Sequence, residues 1–331
     1  MRYSSIFPAG WQATLTFGLF AVIVGRMVAR ERTTIRPFDG SLAHARGLLN
    51  VERATFDECP YGAEQVQSML TAGPQQAWLA LGGDTVVGFV IAFCTTGLQD
   101  PMWEIDLLAV HPQWRGQRLG SRLIRASAAS APHLPGRARA YVATDNLASA
   151  RAFSRAGLRP TPETFTLLVY RTNGPALDRD RVIVSPSDLT VREIFSFSET
   201  TGDPMKCPNA DEGNRELTLT VLQAEKTGQP AGHVELLGVQ TLLYRGMWIE
   251  SLETREQAAR EALIARAVSR ASEAGFDEVG AMLKTQDWPL RDALLAAGFR
   301  SLGGFRRYTA KLPLPGLAAQ DSNITPPRST R

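Results

Sequence analysis

The sequence predicts an α/β fold organised as two similar units. Strand-like and helix-like stretches alternate from Thr33 onward, as a layered α/β fold requires. The chain has 331 residues, which is enough for about two domains. Its content of 44% hydrophobic and 21% charged residues excludes collagen-like, wholly disordered and all-membrane chains.

The first unit is assigned to residues 33–172. Gly82-Gly83-Asp84 separates two apolar runs and predicts a hairpin, and Gly157 is placed to end a helix. The apolar pattern predicts strands at 34–38, 77–81, 86–93, 103–110, 139–143 and 164–170, and helices at 42–55, 63–70, 120–131 and 147–156.

The second unit is assigned to residues 190–312. The breakers Asn173-Gly-Pro175 and Ser185-Pro-Ser187 indicate a linker at 173–189, and the polar tail 313–331 is expected to be disordered. The pattern predicts strands at 217–224, 232–237, 248–252, 278–283 and 305–311, and helices at 256–274 and 289–297.

Short matches between the two units indicate a tandem duplication. Met102-Trp103 matches Met247-Trp248 at an offset of 145, and Ala156-Gly157 matches Ala297-Gly298 at an offset of 141. The offset decreases within the loop that follows the fourth strand. The second unit is therefore expected to have kept the fold and lost that turn.

Residues 1–32 form an N-terminal extension. Its apolar run is densest at 17–24 and is preceded by polar residues such as Gln12, which makes it marginal for a span of roughly 20 apolar residues. Three interpretations stay open: a start placed upstream of a true start at Met27, a weak membrane segment, or an extension packed on the fold.

Charge and cysteine content exclude several kinds of protein. The 36 Lys and Arg residues exceed the 33 Asp and Glu residues by only 3, so nucleic-acid binding is not expected. Cys59, Cys94 and Cys207 are widely spaced, which indicates neither a disulfide framework nor a zinc site. We expect a cytoplasmic protein without a metal, and membrane association is not expected.

A strand, a glycine-containing turn and a helix carry the chemistry. The turn contains Gly116 and Gly120 and is flanked by Arg115, Arg118 and Arg122. Free N–H groups at the start of a helix form an anion site, and glycines let the backbone approach a diphosphate closely. An ordinary turn with solvated arginines is the alternative interpretation.

This stretch resembles the coenzyme A signature of the GCN5-related N-acetyltransferase (GNAT) family. The matching residues are Val110-His-Pro112 and Arg115-Gly-Gln-Arg-Leu-Gly120, with Arg118 where the family has its middle glycine. The resemblance implies a mixed, mostly antiparallel sheet flanked by helices in each unit, with the second copy degenerate. It implies acetyl-CoA as co-substrate, bound by Leu108, Ala109, Val110, Arg115, Gly116, Gln117, Arg118, Leu119, Gly120, Ser121, Asn146 and Phe153.

The resemblance also implies catalytic roles on the fourth strand. Alternation places Glu104 and Asp106 on one face, and Glu104 lies where histone-acetylating relatives carry their base. The alternative is that one or both pair with a nearby arginine or cap a loop. A backbone N–H near Ala109 or Val110 would stabilise the oxyanion.

Two further residues of the first unit carry expectations with alternatives. Phe153 replaces the usual tyrosine acid and cannot donate a proton, although it could pack against the cofactor or lie in the core. Asn146 is expected either to contact the cofactor or to cap a helix.

Together these patterns predict an acetyl-CoA-dependent N-acyltransferase with one working site. The acceptor is a small-molecule or peptide amine of unknown identity, and formation of a homodimer stays open. Its pocket is expected near residues 42–70 and 163–170, with Phe56, Asp57, Glu58 and Tyr61. In the second unit Glu253 and Glu256 flank the corresponding turn, which is expected to repel a diphosphate. The alternative function is a non-catalytic acyl-CoA-binding or regulatory protein.

Overall fold

The computed structural model describes residues 33–56, 61–72, 75–95, 101–131, 136–172, 189–198, 218–242 and 245–314. The predicted extension 1–32, nearly all of the linker 173–189 and nearly all of the tail 313–331 lie outside the described residues. The same is true of Asp57 and Glu58.

The helices and strands of the first unit occur where the pattern predicts them, with ends that differ by a few residues. Ser41 caps the first helix, because its side chain accepts a hydrogen bond from the His44 N–H at 3.2 Å. The elements are β1 (Thr33–Pro37), α1 (Leu42–Arg53), α2 (Ala63–Ala72), β2 (Gln76–Gly82), β3 (Thr85–Thr95), β4 (Met102–Val110), α3 (Leu119–Ala129), β5 (Arg137–Ala143), α4 (Leu147–Ala156) and β6 (Arg159–Arg171).

The second unit repeats part of the order of the first and has one strand that the sequence did not predict. The unpredicted strand is β7 (Leu189–Ser198), and it lies at the edge of the sheet. The other elements are β8 (Thr218–Lys226), β9 (Gln229–Gln240), β10 (Arg245–Thr254), α5 (Gln257–Glu273), β11 (Glu278–Lys284), α6 (Trp288–Ala296) and β12 (Arg300–Lys311). From β8 onward the second unit repeats the order of the first from β2 onward, and α1 and α2 have no counterpart among its described residues.

The strands form one continuous sheet in which the two units exchange their last strands. The order is β1-β2-β3-β4-β5-β12-β6-β11-β10-β9-β8-β7. Strand β12, the last of the second unit, pairs with β5 of the first, and β6, the last of the first unit, pairs with β11 of the second. Each unit therefore completes the sheet of the other.

Two neighbouring strands of the first unit separate part-way along their length. Among the described strands, β4–β5 and β10–β11 are the parallel pairs, and the other pairings are antiparallel. Pairing of β4 with β5 covers only Met102–Glu104 and stops there. The remainder of β4 keeps its bonds to β3 but leaves a gap on the side of β5.

A β-bulge lies at the point of separation. Ile105 pairs with Ala92 and Leu107 pairs with Ile91, so Asp106 is an extra residue on β4. A bulge redirects the side chains that follow it. Accordingly Ile105 belongs to the core under α3 and α4, whereas Leu107 belongs to the core under α1 and α2.

The second unit has the equivalent bulge. This bulge gives the structural register between the two units, which differs from the register of the Met-Trp sequence match. Glu250 is the extra residue of β10, so it corresponds to Asp106 at an offset of 144. Trp103 lies fully in the core of the first unit, where its Nε1 donates to Ser127 Oγ at 3.0 Å. Trp248 is only partly buried and packs on a different cluster. The Met-Trp match at 145 is therefore one residue out of structural register.

Candidate active site

A partly open cavity of about 270 Å³ lies where the two units meet. The first unit contributes the separated parts of β4 and β5, and the second contributes residues of β9, β10 and β11. Glu104, Asp106 and Leu108 of β4 all line it. We call this space the central cavity.

A buried ion-pair chain crosses the central cavity from one unit to the other. Arg139 of β5 donates from Nε to Glu104 at 2.5 Å and from Nη1 to Glu250 at 2.8 Å. The side chains of Arg139 and Glu104 are each only 12% exposed. Burial raises the pKa of Glu104, and the Arg139 charge and hydrogen bond oppose that rise. Glu104 is thus the ion-pair partner of Arg139.

Asp106 is placed differently, because its side chain points from the bulge into open cavity space. The residue is exposed to water in the cavity, while the surrounding protein reduces the hydration of its carboxylate. This loss of hydration raises its pKa from 3.8 to about 7, and the nearby Glu104 charge adds to the rise. A hydrogen bond from the Thr241 side chain, supplied by the second unit, acts in the opposite direction. A carboxylate with a pKa near neutrality is suited to accept a proton at physiological pH.

The turn after β4 has the backbone shape that an anion site needs. Gly116 has φ +81°, and Arg118 adopts a left-handed conformation with φ 60° and ψ 18° just before α3. Arg118 stands where the resemblance places a glycine, and it keeps the conformation that glycine favours. The first helical bond joins the Arg122 N–H to the Arg118 carbonyl at 3.2 Å. The preceding N–H groups of α3 therefore lie at its open end.

Gly120 has a packing role besides its predicted contact with a phosphate. A Cβ at this position would lie 3.3 Å from Ala152 Cβ in α4 and 3.6 Å from Leu108 Cδ2. A Cβ at Gly116 would meet nothing within 4 Å. Gly120 therefore allows α3 to approach α4, while Gly116 faces open space.

The arginines around the turn differ in their contacts. Arg115 donates from Nε to the Val110 carbonyl at 3.2 Å, and Arg118 is exposed. Arg122 donates to the hydroxyl and carbonyl of Thr33 at 2.6 and 2.8 Å, which ties α3 to β1.

Backbone geometry distinguishes the two N–H groups predicted to face the oxyanion. The His111 N–H donates to the Val87 carbonyl of β3 at 2.9 Å. Since N–H groups alternate in direction along a strand, that of Ala109 also faces β3 and that of Val110 faces the gap beside β5.

Asn146 and Phe153 both line the central cavity. Asn146 also caps α4, because its Oδ1 accepts from the Ser149 N–H at 3.0 Å. Phe153 is only 4% exposed, and its ring centroid lies 5.8 Å from that of Tyr308. Phe153 therefore lies in the core, as one of its interpretations predicted, and it also lines the cavity.

The corresponding turn of the second unit has different contacts. Glu256 occupies the position before α5 and makes no side-chain cap. Its carboxylate instead accepts from Lys226 Nζ at 3.0 Å, and the Thr254 hydroxyl donates to the Ala231 carbonyl at 2.7 Å. A carboxylate thus stands where the first unit has its glycine-containing turn.

The family model described as Acetyltransferase (GNAT) family matches residues 46–158. This part of the chain is a GNAT domain. The match includes β4, the turn and α3, which are the segments that carry the sequence resemblance. No curated protein has a sequence significantly similar to this chain.

Solved structures share the fold of the GNAT domain and of the second unit together. A tandem GNAT protein from the clavulanic acid biosynthesis pathway is 16% identical with a TM-score of 0.50, covering 85% of this chain and 98% of that one. A GCN5-related N-acetyltransferase from Sphaerobacter thermophilus is 18% identical with a TM-score of 0.50, covering 84% and 95%. The predicted tandem GNAT fold is confirmed.

Several residues of the cavity were not predicted from the sequence. Arg139 and Tyr141 of the first unit lie far along the chain from Thr241 and Trp248 of the second. The two pairs meet only because the units share one sheet. A strand position for Arg139 and Tyr141 was predicted, but no local pattern indicated what they face.

Two features are absent from the described residues. These residues contain no group of three or more His, Cys, Asp or Glu side chains that could hold a metal ion. None of their helices has the length and apolar character needed to cross a membrane.

Proposed function

We propose that this chain transfers an acetyl group from acetyl-CoA to a primary amine, at one site in the GNAT domain. The observation that carries this proposal is Asp106, a carboxylate with a pKa of about 7 that faces the central cavity beside the gap between β4 and β5. The family match supports acetyl transfer in general, and the amine acceptor is our extension of it.

The residues around the turn fit the diphosphate of acetyl-CoA. Gly116 and Arg118 have the left-handed conformations that direct consecutive N–H groups to one point, and the open end of α3 adds its own. Arg115 and Arg118 would add positive charge. The second unit has Glu256 in the equivalent place, so we assign it no acetyl-CoA site.

Bound acetyl-CoA supplies the acetyl thioester, whose C–S bond breaks as the new C–N bond to the acceptor forms. Asp106 accepts the proton of the acceptor's ammonium group, which frees the nitrogen lone pair for attack. The Val110 N–H stabilises the oxyanion on the carbonyl. The second proton lost from nitrogen balances the one gained by the thiol, and Asp106 returns its proton to solvent.

Glu104 acts in this proposal as a positioning residue. Its ion pair with Arg139 fixes the side of the cavity next to Asp106, and its charge raises the pKa of Asp106. A tyrosine acid is absent at Phe153, so a water molecule would protonate the thiolate.

The test is amine-dependent release of free thiol from acetyl-CoA, with the N-acetylated product detected by mass spectrometry. The amines should span alkylamines, arylalkylamines, polyamines, amino sugars and peptides. We expect kcat/KM to rise with pH and to level off above about pH 7, and we expect Asp106→Asn to lower kcat/KM about 10²–10⁴-fold. Glu104→Gln is the matched control, and its kcat/KM should still rise with pH but level off at a lower pH.

Two results would contradict the proposal. Saturable acetyl-CoA binding with no transfer to any amine would favour the non-catalytic acyl-CoA binder. Equal activity of Asp106→Asn and the unmodified chain would exclude Asp106 as the base.

A further inference from the structure

Part of the wall of the central cavity, beside the ion-pair chain, is apolar and comes largely from the second unit. Phe93 of β3, Leu237 and Val239 of β9, and Trp248 of β10 pack together in one cluster, and all four line the cavity. Met282 of β11 also lines it. A ligand held at Asp106 would therefore extend from a polar end toward an apolar surface.

The polar end carries an excess of negative charge. Glu104, Asp106 and Glu250 lie there, and Glu52 and Glu278 also line the cavity. Arg139 is the one cationic side chain among the described residues of the lining. Arg139 already donates to Glu104 and Glu250. Arg307, whose charge lowers the pKa of Glu104, lies over the Phe165 ring at 5.0 Å outside the lining. A carboxylate on the acceptor would meet like charges without a free cation.

The apolar part of the wall favours an acceptor with an apolar body. The buried residues Leu237 and Val239 are 2% and 7% exposed and carry no polar side-chain group. The cavity of about 270 Å³ lies below the range of roughly 300–1,000 Å³ typical of drug-sized ligands.

We propose that the acceptor is a small primary amine with an apolar body and no carboxylate, selected by the second unit through Trp248 and its neighbours. This inference rests on the proposed function. It assigns the degenerate second unit a specific role, since its strands form the wall that contacts the acceptor body.

The test compares matched amines in the thiol-release assay with the full chain. Phenethylamine and phenylalanine differ by one carboxylate, and heptylamine and 7-aminoheptanoic acid differ by a carboxylate in place of the terminal methyl group. We expect kcat/KM to be at least about 100-fold higher for the first member of each pair, as expected when an unpaired charge must be buried.

A variant tests the part played by the second unit. Trp248→Ala should raise KM for heptylamine and phenethylamine about tenfold, because the apolar contact area is lost, while KM for acetyl-CoA stays unchanged. Trp288→Ala is the matched control, since Trp288 is 54% exposed on α6 and does not line the cavity.

The outcomes separate this inference from the proposed function. Transfer to amino sugars or amino acids in preference to phenethylamine and heptylamine would overturn the inference and leave the function standing. The same holds if Trp248→Ala and Trp288→Ala act alike. Absence of thiol release with every amine would overturn both.

Discussion

Asp106 gains its chemical character from a backbone irregularity. The bulge on β4 makes it an extra residue at the point where β4 leaves β5, so its side chain faces the cavity, where it accepts a hydrogen bond from the Thr241 side chain. Loss of hydration then raises its pKa to about 7. The same bulge position in the second unit carries Glu250, which is bound to Arg139. Two equivalent carboxylates thus have different partners.

The raised pKa of Asp106 predicts a specific dependence of stability on pH. Its folded-state pKa of about 7 exceeds the value of 3.8 expected when the chain is unfolded, so proton binding favours the folded state. This contribution is complete below pH 3.8 and is lost as pH rises through 7. Asp106→Asn cannot ionise, and we expect its stability relative to the unmodified chain to increase between pH 5 and pH 8. Urea unfolding at the two pH values measures this difference.

A pH-independent stability difference would contradict the assigned environment of Asp106. Glu253→Gln, on the same β10 strand as Glu250 but away from the cavity lining, is the control, and it should not reproduce the pH-dependent difference expected for Asp106→Asn.

At the scale of elements, Arg139 connects strands of both units. It lies on β5 and pairs with Glu104 of β4 and Glu250 of β10. Removing one partner of a buried ion pair leaves an uncompensated charge, which costs about 3–5 kcal/mol. We expect Arg139→Met to lower the free energy of unfolding by about that amount at pH 7, as measured by urea denaturation.

The Arg139 prediction has its own control. Adding Glu104→Gln and Glu250→Gln to Arg139→Met removes the unpaired charges and should restore most of the stability. A loss below about 1 kcal/mol in Arg139→Met, or no recovery in the triple variant, would show that the ion-pair chain does not join the units energetically.

The sequence predicted most elements because their apolar periodicity is local. Strand β7 was missed since it is an edge strand in which Arg192, Glu193, Ile194 and Phe195 are all exposed, so no buried face produces alternation. The bulge at Asp106 was not predicted, because regular alternation along β4 already placed Glu104 and Asp106 on the same face of the strand.

The site was predicted in part for the same reason. The turn at Gly116 and the carboxylates of β4 follow from short-range pattern and resemblance. The ion pair of Glu104 was left as an alternative, and its partner Arg139 could not be named, because strand order decides what faces the cavity. The exchange of β6 and β12 between the units depends on pairing between strands that are distant in sequence, and no local pattern predicts it.

At the scale of the whole molecule, the strand exchange makes the two units interdependent. Strand β12 lies between β5 and β6, and β6 lies between β12 and β11. A separated first unit would lose the strand that covers β5 and would leave β6 without either neighbour.

We therefore expect one cooperative unfolding transition for the full chain, with coincident curves from circular dichroism and tryptophan fluorescence. A fragment of residues 33–172 should lack near-ultraviolet circular dichroism. Two separate transitions, or a fragment with native-like signals, would show that the units fold independently.

The central claim is a single acetyl-CoA site at the turn of the GNAT domain, and calorimetric titration of acetyl-CoA into the full chain tests it most directly. Gly116→Asp and Gly116→Asn form the matched pair, since a Cβ there meets nothing within 4 Å and both residues tolerate positive φ. We predict one site per chain, an affinity reduced about tenfold or more by Gly116→Asp, and a change within about threefold for Gly116→Asn. Absence of saturable binding, two sites per chain, or equal losses in both variants would contradict the account.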